Sequence, residues 1–195
     1  AIECNGNYWH SELSGRGKTY HLNKTQECNK AGYDLIHILE SEINNEPELV
    51  KNRILSKLGV LPATRIHTRQ CTVEEINTNT KCEFLNRFHI QGNDSSSIRL
   101  GLFYETELIS VMTFCKLRKA LGSKHSDGSW ELSRFCSNYE YIAPGNGSKL
   151  LKHFIRSYNP KRILSYCDLR WNTGKSYHNM GFDLTGLNPN LVRPE

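Results

Sequence analysis

The feature that most constrains the fold is a strand, a glycine turn, a helix and a second strand that follow one another. An apolar segment at 130–136 precedes the turn Pro144-Gly-Asn-Gly147, and a helical pattern at 148–158 leads to another apolar run at 162–168. A helical crossover is the usual connection between parallel strands. The order therefore predicts an α/β chain with at least one parallel strand pair.

A break near residues 60–64 divides the chain into two predicted units. A helical pattern starts at Pro47 and ends at Gly59, and Leu61-Pro62 follows. Before it, the pattern predicts a helix near 24–30 and a strand at 33–39. After it, we expect a short strand at 65–67, a helix opened by the capping box Thr72-Val-Glu-Glu75 and a hairpin of 99–104 with 108–114. A helix at 175–180 and a last strand at Phe182 complete the prediction.

Composition excludes several classes of protein. The 195 residues include 37% apolar and 23% charged side chains, which is enough for a core and disfavours a disordered chain. No apolar run approaches the roughly 20 residues of a membrane-spanning helix, so we expect no membrane association. The seven cysteines are odd in number and form no CxxC pair, which favours reduced thiols in the cytoplasm.

Charge is distributed unevenly along the chain. Residues 1–60 carry 7 basic and 8 acidic side chains, whereas residues 61–195 carry 18 and 12. The formal net charge of +5 therefore comes entirely from the second unit. This excess indicates a polyanionic partner for that unit.

The N-terminal unit contains a distinctive combined pattern. It consists of Ile2-Glu-Cys-Asn-Gly-Asn-Tyr-Trp-His10, Tyr20-His-Leu-Asn-Lys-Thr25 and Asp34-Leu-Ile-His-Ile-Leu-Glu40. This combination resembles very-short-patch repair endonucleases and, more closely, phage homing endonucleases of the EDxHD class, a branch of the PD-(D/E)xK nucleases. The resemblance implies hydrolysis of DNA phosphodiesters with Mg²⁺, double-stranded DNA as the partner, and the host cytoplasm as the location.

The same resemblance implies roles for individual side chains. His10 would move a proton or orient water, His21 would be a second imidazole, Glu3 would bind the metal ion, and Trp9 would lie against the DNA. The family's upstream metal-binding acids have no counterpart, because the chain starts after both positions. We therefore expect a fragment of a longer enzyme, or a form that binds without cutting. The residues alone also permit an ordinary strand-end role for Glu3 and a packed core role for His37.

Residues 64–195 resemble a second family. Their order of strands and helices is similar to the GNAT acetyltransferase fold, with local matches at Ile142-Ala-Pro-Gly-Asn-Gly147 and Tyr177-His-Asn-Met-Gly-Phe182. The first match resembles the turn that binds the coenzyme A pyrophosphate, which places Gly145, Asn146 and Gly147 in phosphate-binding positions. Ile142 stands where that family has Gln or Arg, so a DNA phosphate is an equal alternative ligand.

Basic and aromatic side chains of this unit are candidates for DNA contact. Three of them share one face of the helix after the turn, and a solvated helix face is the equal alternative. Arg170 could bind phosphate or guanine and Trp171 could stack on a base, or Arg170 could pair with Asp168. The candidates are Lys116, Arg118, Lys119, Lys149, Lys152, Arg156, Arg170 and Trp171.

These patterns predict an α/β chain with a partial PD-(D/E)xK-like nuclease unit at 1–60 and a GNAT-like mixed-sheet domain at 64–195 that contacts DNA. The predicted function is a site-specific, metal-dependent endonuclease of the homing type. One alternative is an acetyl-CoA-dependent N-acetyltransferase that uses the glycine turn. The other is a non-catalytic DNA-binding protein that has lost the nuclease acids.

Overall fold

The computed structural model describes residues 1–6, 20–117 and 128–187. Its elements are a mixture of strands and helices, as the sequence pattern predicts. In chain order they are β1 (Ile2–Asn5), α1 (Tyr20–Lys30), β2 (Ile36–Leu39), α2 (Glu40–Asn45), α3 (Pro47–Lys57), β3 (Thr64–Arg65), a 3₁₀ turn (Thr68–Gln70), β4 (Cys71–Glu75), α4 (Thr78–Phe88), β5 (Ile98–Tyr104), β6 (Glu107–Lys116), β7 (Ser129–Ser137), β8 (Tyr141–Ile142), α5 (Asn146–Tyr158), β9 (Arg162–Ser165) and α6 (Lys175–Asn179).

The chain forms two compact units that differ in extent from the predicted ones. Unit 1 holds Ala1–Pro47 together with Cys167–Glu195, and unit 2 holds Glu48–Tyr166. The predicted boundary at 60–64 lies inside unit 2. The final segment belongs to unit 1 because it returns to β2, where the His37 N–H donates to the Arg170 carbonyl at 3.2 Å.

Unit 1 is built around a two-stranded parallel sheet. β1 pairs with β2 in a register that runs from Ile2 opposite Ile36 to Asn5 opposite Leu39. A parallel pair needs a crossover connection, and α1 lies between the two strands in the chain. The first three β2 side chains are buried, with Ile38 2% exposed.

Unit 2 is a mixed α/β unit with a five-stranded sheet in the order β4-β5-β6-β7-β9. The first three pairings are antiparallel, and β7 pairs with β9 in parallel. A separate pair, β3 with β8, is also parallel. The predicted hairpin is confirmed as β5 and β6, and the predicted parallel crossover is confirmed as β7, α5 and β9.

Two helices cover opposite faces of this sheet. On one face, α5 packs its buried Phe154 against Phe114 and Trp130. On the other face, α4 contributes Phe84, Leu85 and Phe88 to a cluster with Val111. Successive β6 residues point to opposite faces, which is why Phe114 meets α5 and Val111 meets α4. This alternation supplies a core on both sides of the sheet.

Two predicted elements are wrong. The Thr72–Glu75 segment is not a helix start but part of β4, which pairs with β5 from Cys71 opposite Tyr104. The helix begins later, and the Asn77 side chain caps it by accepting the Thr80 N–H at 2.9 Å. The strand expected at Phe182 is absent from the described residues 181–187, which form no regular element.

The helices within the described ranges include none that is long and apolar enough to cross a membrane. All seven cysteines lie in described ranges and are free thiols.

Candidate functional site

The parallel strands β7 and β9 separate part of the way along β7. They pair from Ser129 opposite Arg162 to Leu132 opposite Ser165, where β9 ends. β7 continues to Ser137, so its later residues have no partner on that side among the described strands. The result is an open wedge at the carboxyl end of the parallel pair, where α/β proteins commonly bind ligands.

A β-bulge in β7 lies where the two strands separate. The β6–β7 register moves from Thr113 opposite Arg134 to Phe114 opposite Leu132, which leaves Ser133 without an opposite residue. Bulges redirect side chains and backbone groups, and they are frequent beside functional sites. The sequence analysis did not find this feature, because a bulge depends on the register of two strands.

A buried network of hydrogen bonds centred on Asp94 lies beside this bulge and includes Ser133. The carboxylate of Asp94 accepts hydrogen bonds from Ser96 at 2.8 Å, Thr113 at 2.8 Å and Lys81 at 3.2 Å, and Ser133 also bonds to it. Burial acts to raise the pKa of Asp94, but the four hydrogen bonds outweigh it and lower this pKa to about 2.

The lowered pKa predicts an acid-sensitive contribution to stability. The pKa of Asp94 is about 2 in the folded state and 3.8 in its ordinary state. The ionised carboxylate therefore contributes fully to stability above pH 4 to 5, and this contribution is lost as the pH falls through 2. Its size is about 2 kcal/mol. Denaturant unfolding of the wild type and of Asp94→Asn between pH 5 and 2 measures it. A stability difference that does not shrink over this range would contradict the assignment.

The glycine turn ahead of α5 resembles an anion-binding turn, but two of its backbone donors are already used. One is the Asn146 N–H, which donates to the Ala143 carbonyl at 3.1 Å. Gly145 has φ +84° and precedes the first helical residue, a conformation that glycine adopts without strain. The side chain of Asn146 points inward and donates to Ser110 and Ser137 at 2.8 Å each. Its oxygen accepts the Gly147 N–H at 2.7 Å, so this N–H is not free for a phosphate.

A pocket of about 650 Å³ lies between α5 and the segment 68–73. Its lining carries several cationic side chains and no carboxylate, which favours an anionic ligand. The lining residues are Thr68, Arg69, Cys71, Thr72, Val73, Gly145, Ser148, Lys149, Lys152, His153 and Arg156. Arg69 and residues 71–73 were not among the sequence candidates, because only the fold brings them beside α5.

The three basic residues predicted on α5 all line this pocket, but they differ in their partners. Lys149 is half-buried and donates to the carbonyls of Thr68 at 2.8 Å and Cys71 at 2.5 Å, so it ties α5 to the neighbouring segment. Lys152 and Arg156 are exposed. These two side chains are therefore the accessible cations of the helix face.

Glu131 is a further candidate that the sequence analysis missed. It lies on β7 one residue before the last parallel pair, opposite Leu164. Its Oε2 atom is buried with no hydrogen-bond partner in the described part of the chain. An unsatisfied buried carboxylate oxygen is costly, and this points to a ligand as its partner. A lone acidic residue inside an apolar strand was the available sequence signal.

Arg170 and Trp171 have internal partners in unit 1. Arg170 makes a bidentate pair with Asp168, at 2.7 and 3.1 Å, and its other nitrogen lies 2.9 Å from Glu42. Trp171 is 2% exposed. The alternative in which Arg170 pairs with Asp168 is thus the observed one, and the buried Trp171 ring presents no face on which a base could stack.

Other predicted residues are placed as follows. Lys116 lies with its ammonium group 3.8 Å from the centre of the Trp130 ring. Ile142 is 46% exposed and offers no side-chain hydrogen bond. The predicted positions outside the described residues are Trp9, His10, Arg118 and Lys119.

In unit 1 the structure brings Glu3 and His21 together, and it adds His37. One ligand atom from each of the three lies within 4.8 Å of the others. The sequence analysis favoured a packing role for His37, which is 3% exposed but also faces Glu3.

Comparison with known proteins gives fold similarities only. No protein-family model and no curated protein matches the chain. An aminoglycoside acetyltransferase from an uncultured soil metagenomic sample is 12% identical, with a TM-score of 0.46 over 62% of this chain and 94% of that one. A ribosomal-protein-alanine N-acetyltransferase from Brucella melitensis biovar Abortus 2308 is 11% identical, with a TM-score of 0.45 over 63% and 98%. A GNAT-family acetyltransferase from Streptococcus pneumoniae TIGR4 is 16% identical, with a TM-score of 0.43 over 60% and 96%.

These comparisons correct the homing-endonuclease interpretation. The three solved structures named above are acetyltransferases and not nucleases. The described part of unit 1, with its single β1–β2 pair, does not show a PD-(D/E)xK unit. The predicted phage endonuclease activity is therefore wrong. The nuclease roles of His10, Glu3 and His21 and the expected Mg²⁺ lose their basis with it. The remaining part of the fold prediction is supported: the chain has a mixed α/β fold with a mixed sheet that is similar to the GNAT fold.

Proposed function

We propose that unit 2 is an N-acetyltransferase that uses acetyl-CoA. The observation that carries this proposal is the wedge between β7 and β9, which opens at the same end of the parallel pair as the glycine turn and the start of α5. This end has an unpaired strand edge for an extended ligand and a helix N-terminus for phosphates.

The chain's own groups fit the parts of coenzyme A in different ways. The edge of β7 after Leu132 has no partner strand among the described residues on that side, so it can bond an extended amide-containing arm as an added strand would. The turn at Gly145 and the exposed cations Lys152 and Arg156 can bind phosphate groups. Ile142 and the occupied Gly147 N–H reduce the number of phosphate donors below the number that the resemblance implies.

The expected chemistry needs two further groups. Acetyl-CoA, when bound, would supply an acetyl group activated as a thioester. The backbone at the Ser133 bulge is the candidate donor to a carbonyl oxygen in the wedge, because β6 leaves this residue unpaired. Glu131 is the candidate base, since its buried oxygen could accept the proton that an attacking amine must lose.

Thermal unfolding of the full chain with acetyl-CoA tests this proposal. At a ligand concentration 100 times the Kd, stabilisation of about 2.7 kcal/mol predicts a Tm increase of about 5–10 °C. The double variant Lys152→Glu/Arg156→Glu should weaken binding by about 10-fold or more, which corresponds to about 1.4 kcal/mol. Lys51→Glu is the matched control, because Lys51 is an exposed lysine of α3 outside the pocket. No shift with acetyl-CoA would refute the proposal.

A second candidate function is binding of double-stranded DNA by the same basic face. The observation that favours it is a pocket lined by Arg69, Lys152 and Arg156 without a carboxylate. DNA binding that falls steeply with salt, together with no response to acetyl-CoA, would support this candidate over the first. A cytoplasmic location, which the free cysteines favour, stays a prediction.

A further inference from the structure

Unit 1 contains a compact cluster of one carboxylate and two imidazoles that the proposed acetyltransferase does not use. Glu3 lies on β1 directly opposite His37 on β2, so their side chains share one face of the parallel pair. His21 lies in the first turn of α1, and its ring meets the His37 ring edge to face at 5.4 Å. Three separate elements thus place potential ligand atoms within 4.8 Å of one another.

We propose that Glu3, His21 and His37 bind one Zn²⁺ ion. Two imidazole nitrogens and one carboxylate oxygen form a ligand set that zinc accepts in tetrahedral sites, with water or another group in the fourth position. Imidazole ligands favour zinc and neighbouring transition metals over magnesium, which prefers oxygen ligands. The occupant is therefore a transition-metal ion rather than the Mg²⁺ that the sequence pattern implied.

The hydrogen bonds around His37 fix a tautomer whose Nδ1 lone pair faces the cluster. The Thr25 hydroxyl donates its only proton to the His21 carbonyl at 2.9 Å. The same oxygen lies 2.8 Å from His37 Nε2 and must therefore accept the Nε2 proton. In neutral His37 the lone pair is then on Nδ1, which lies 3.3 Å from Glu3 Oε2. Glu3 Oε2 and the Nδ1 lone pair thus face each other, as two ligand atoms of one cation do.

The carboxylate is also held in place. Lys24 donates to Glu3 Oε1 at 2.7 Å, which leaves Oε2 on the side of His37. This arrangement keeps one carboxylate oxygen available to a metal ion, which carboxylates bind in their ionised form. Thr25 and Lys24 orient the ligands in the way that outer-shell groups do in zinc sites.

Asn5 is the remaining polar neighbour of the cluster. Its amide nitrogen lies 3.2 Å from His37 Nδ1. Rotation of the amide presents oxygen instead of nitrogen to the same position, so this contact is compatible with a bound cation. An ion at the cluster would connect β1, α1 and β2, which would constrain a sheet that has two strands in the described part of the chain.

The test uses the full chain after treatment with a chelator. Calorimetric titration with Zn²⁺ should show one saturable site, and excess Mg²⁺ should not compete. His21→Ala and Glu3→Gln should each weaken zinc binding by about 100-fold. Loss of a residue that only orients a ligand costs up to about 100-fold, and loss of a ligand itself should cost at least as much. Co²⁺ should give the visible absorption bands of a tetrahedral nitrogen and oxygen site without a thiolate charge-transfer band.

Matched controls separate this site from the nearby thiols. Cys4→Ser on β1 and Cys28→Ser on α1 should leave the zinc affinity unchanged, because the proposed ligands exclude both cysteines. Far-UV circular dichroism of each variant checks that it is folded. Absence of saturable Zn²⁺ binding, a thiolate band with Co²⁺, or wild-type affinity in folded His21→Ala and Glu3→Gln would each overturn the proposal. None of these readouts depends on acetyl-CoA.

Discussion

Replacement of Asp94 by alanine is expected to destabilise the chain by about 3–5 kcal/mol. The side chains of Lys81 and Asp94 are 2% and 3% exposed, and they form an ion pair at 3.2 Å. Alanine removes the carboxylate and leaves a buried ammonium group that, within the described residues, keeps the backbone carbonyl of residue 94 as an acceptor. Three hydroxyl groups, on Ser96, Thr113 and Ser133, lose their acceptor as well. Urea unfolding at pH 7 measures the difference in free energy.

Two further variants test whether the unpaired charge causes this loss. Asp94→Asn keeps hydrogen-bonding atoms but removes the negative charge, so its loss should be smaller than that of alanine. The double variant Lys81→Met/Asp94→Leu should lose less stability than Asp94→Ala, because no charge remains buried. Equal losses in the single alanine variant and the double variant would show that the space left by the side chains, rather than the unpaired charge, causes the effect.

Replacement of Phe154 by alanine is expected to cost about 3–5 kcal/mol of the free energy of unfolding. The side chain is 0% exposed. Its ring stacks on Phe114, with centroids 3.6 Å apart, and meets the Trp130 ring at 5.3 Å. Removal of the ring leaves a cavity between α5 and the sheet, at the contact that holds the helix. Thermal and urea unfolding of the full chain measure the effect.

The neighbouring residue on the same helix provides the control for this variant. Ile155 is 43% exposed, so Ile155→Ala should change stability by no more than about 0.5 kcal/mol. Similar losses for the two variants would show that α5 does not obtain its stability from packing on the sheet. If acetyl-CoA still stabilises a folded Phe154→Ala variant, the phosphate groups are bound mainly by the turn and the exposed cations.

Local patterns predicted much of unit 2. The hairpin of β5 and β6 follows from two apolar runs around Glu105-Thr-Glu107, and α5 follows from apolar residues at helical spacing after a glycine turn. Each of these signals depends on residues a few positions apart. The sequence also singled out Lys152 and Arg156, because i, i+3 and i+4 spacing alone places residues on one face of a helix.

Signals that compete with tertiary contacts led to wrong predictions. Thr72-Val-Glu-Glu75 has the spacing of a capping box, yet its backbone bonds to β5, because pairing across the sheet satisfies more backbone groups than one helix cap. The resemblance to homing endonucleases rested on a short pattern in unit 1, which described neither the returning segment after Cys167 nor the sheet of unit 2. The sequence analysis offered Asp168 as a partner of Arg170, but it did not predict the ion pair of Arg170 with Glu42.

The amino-acid sequence alone was sufficient for the α/β class, the parallel crossover through α5, the glycine turn and the concentration of positive charge in the second part of the chain. The wedge between β7 and β9, the bulge at Ser133, the pocket beside residues 68–73 and the cluster of Glu3, His21 and His37 required the tertiary structure. Periodicity and turn chemistry act over a few residues. Strand register and side-chain convergence depend on which distant segments pack together, and a single sequence does not encode these contacts in any local pattern.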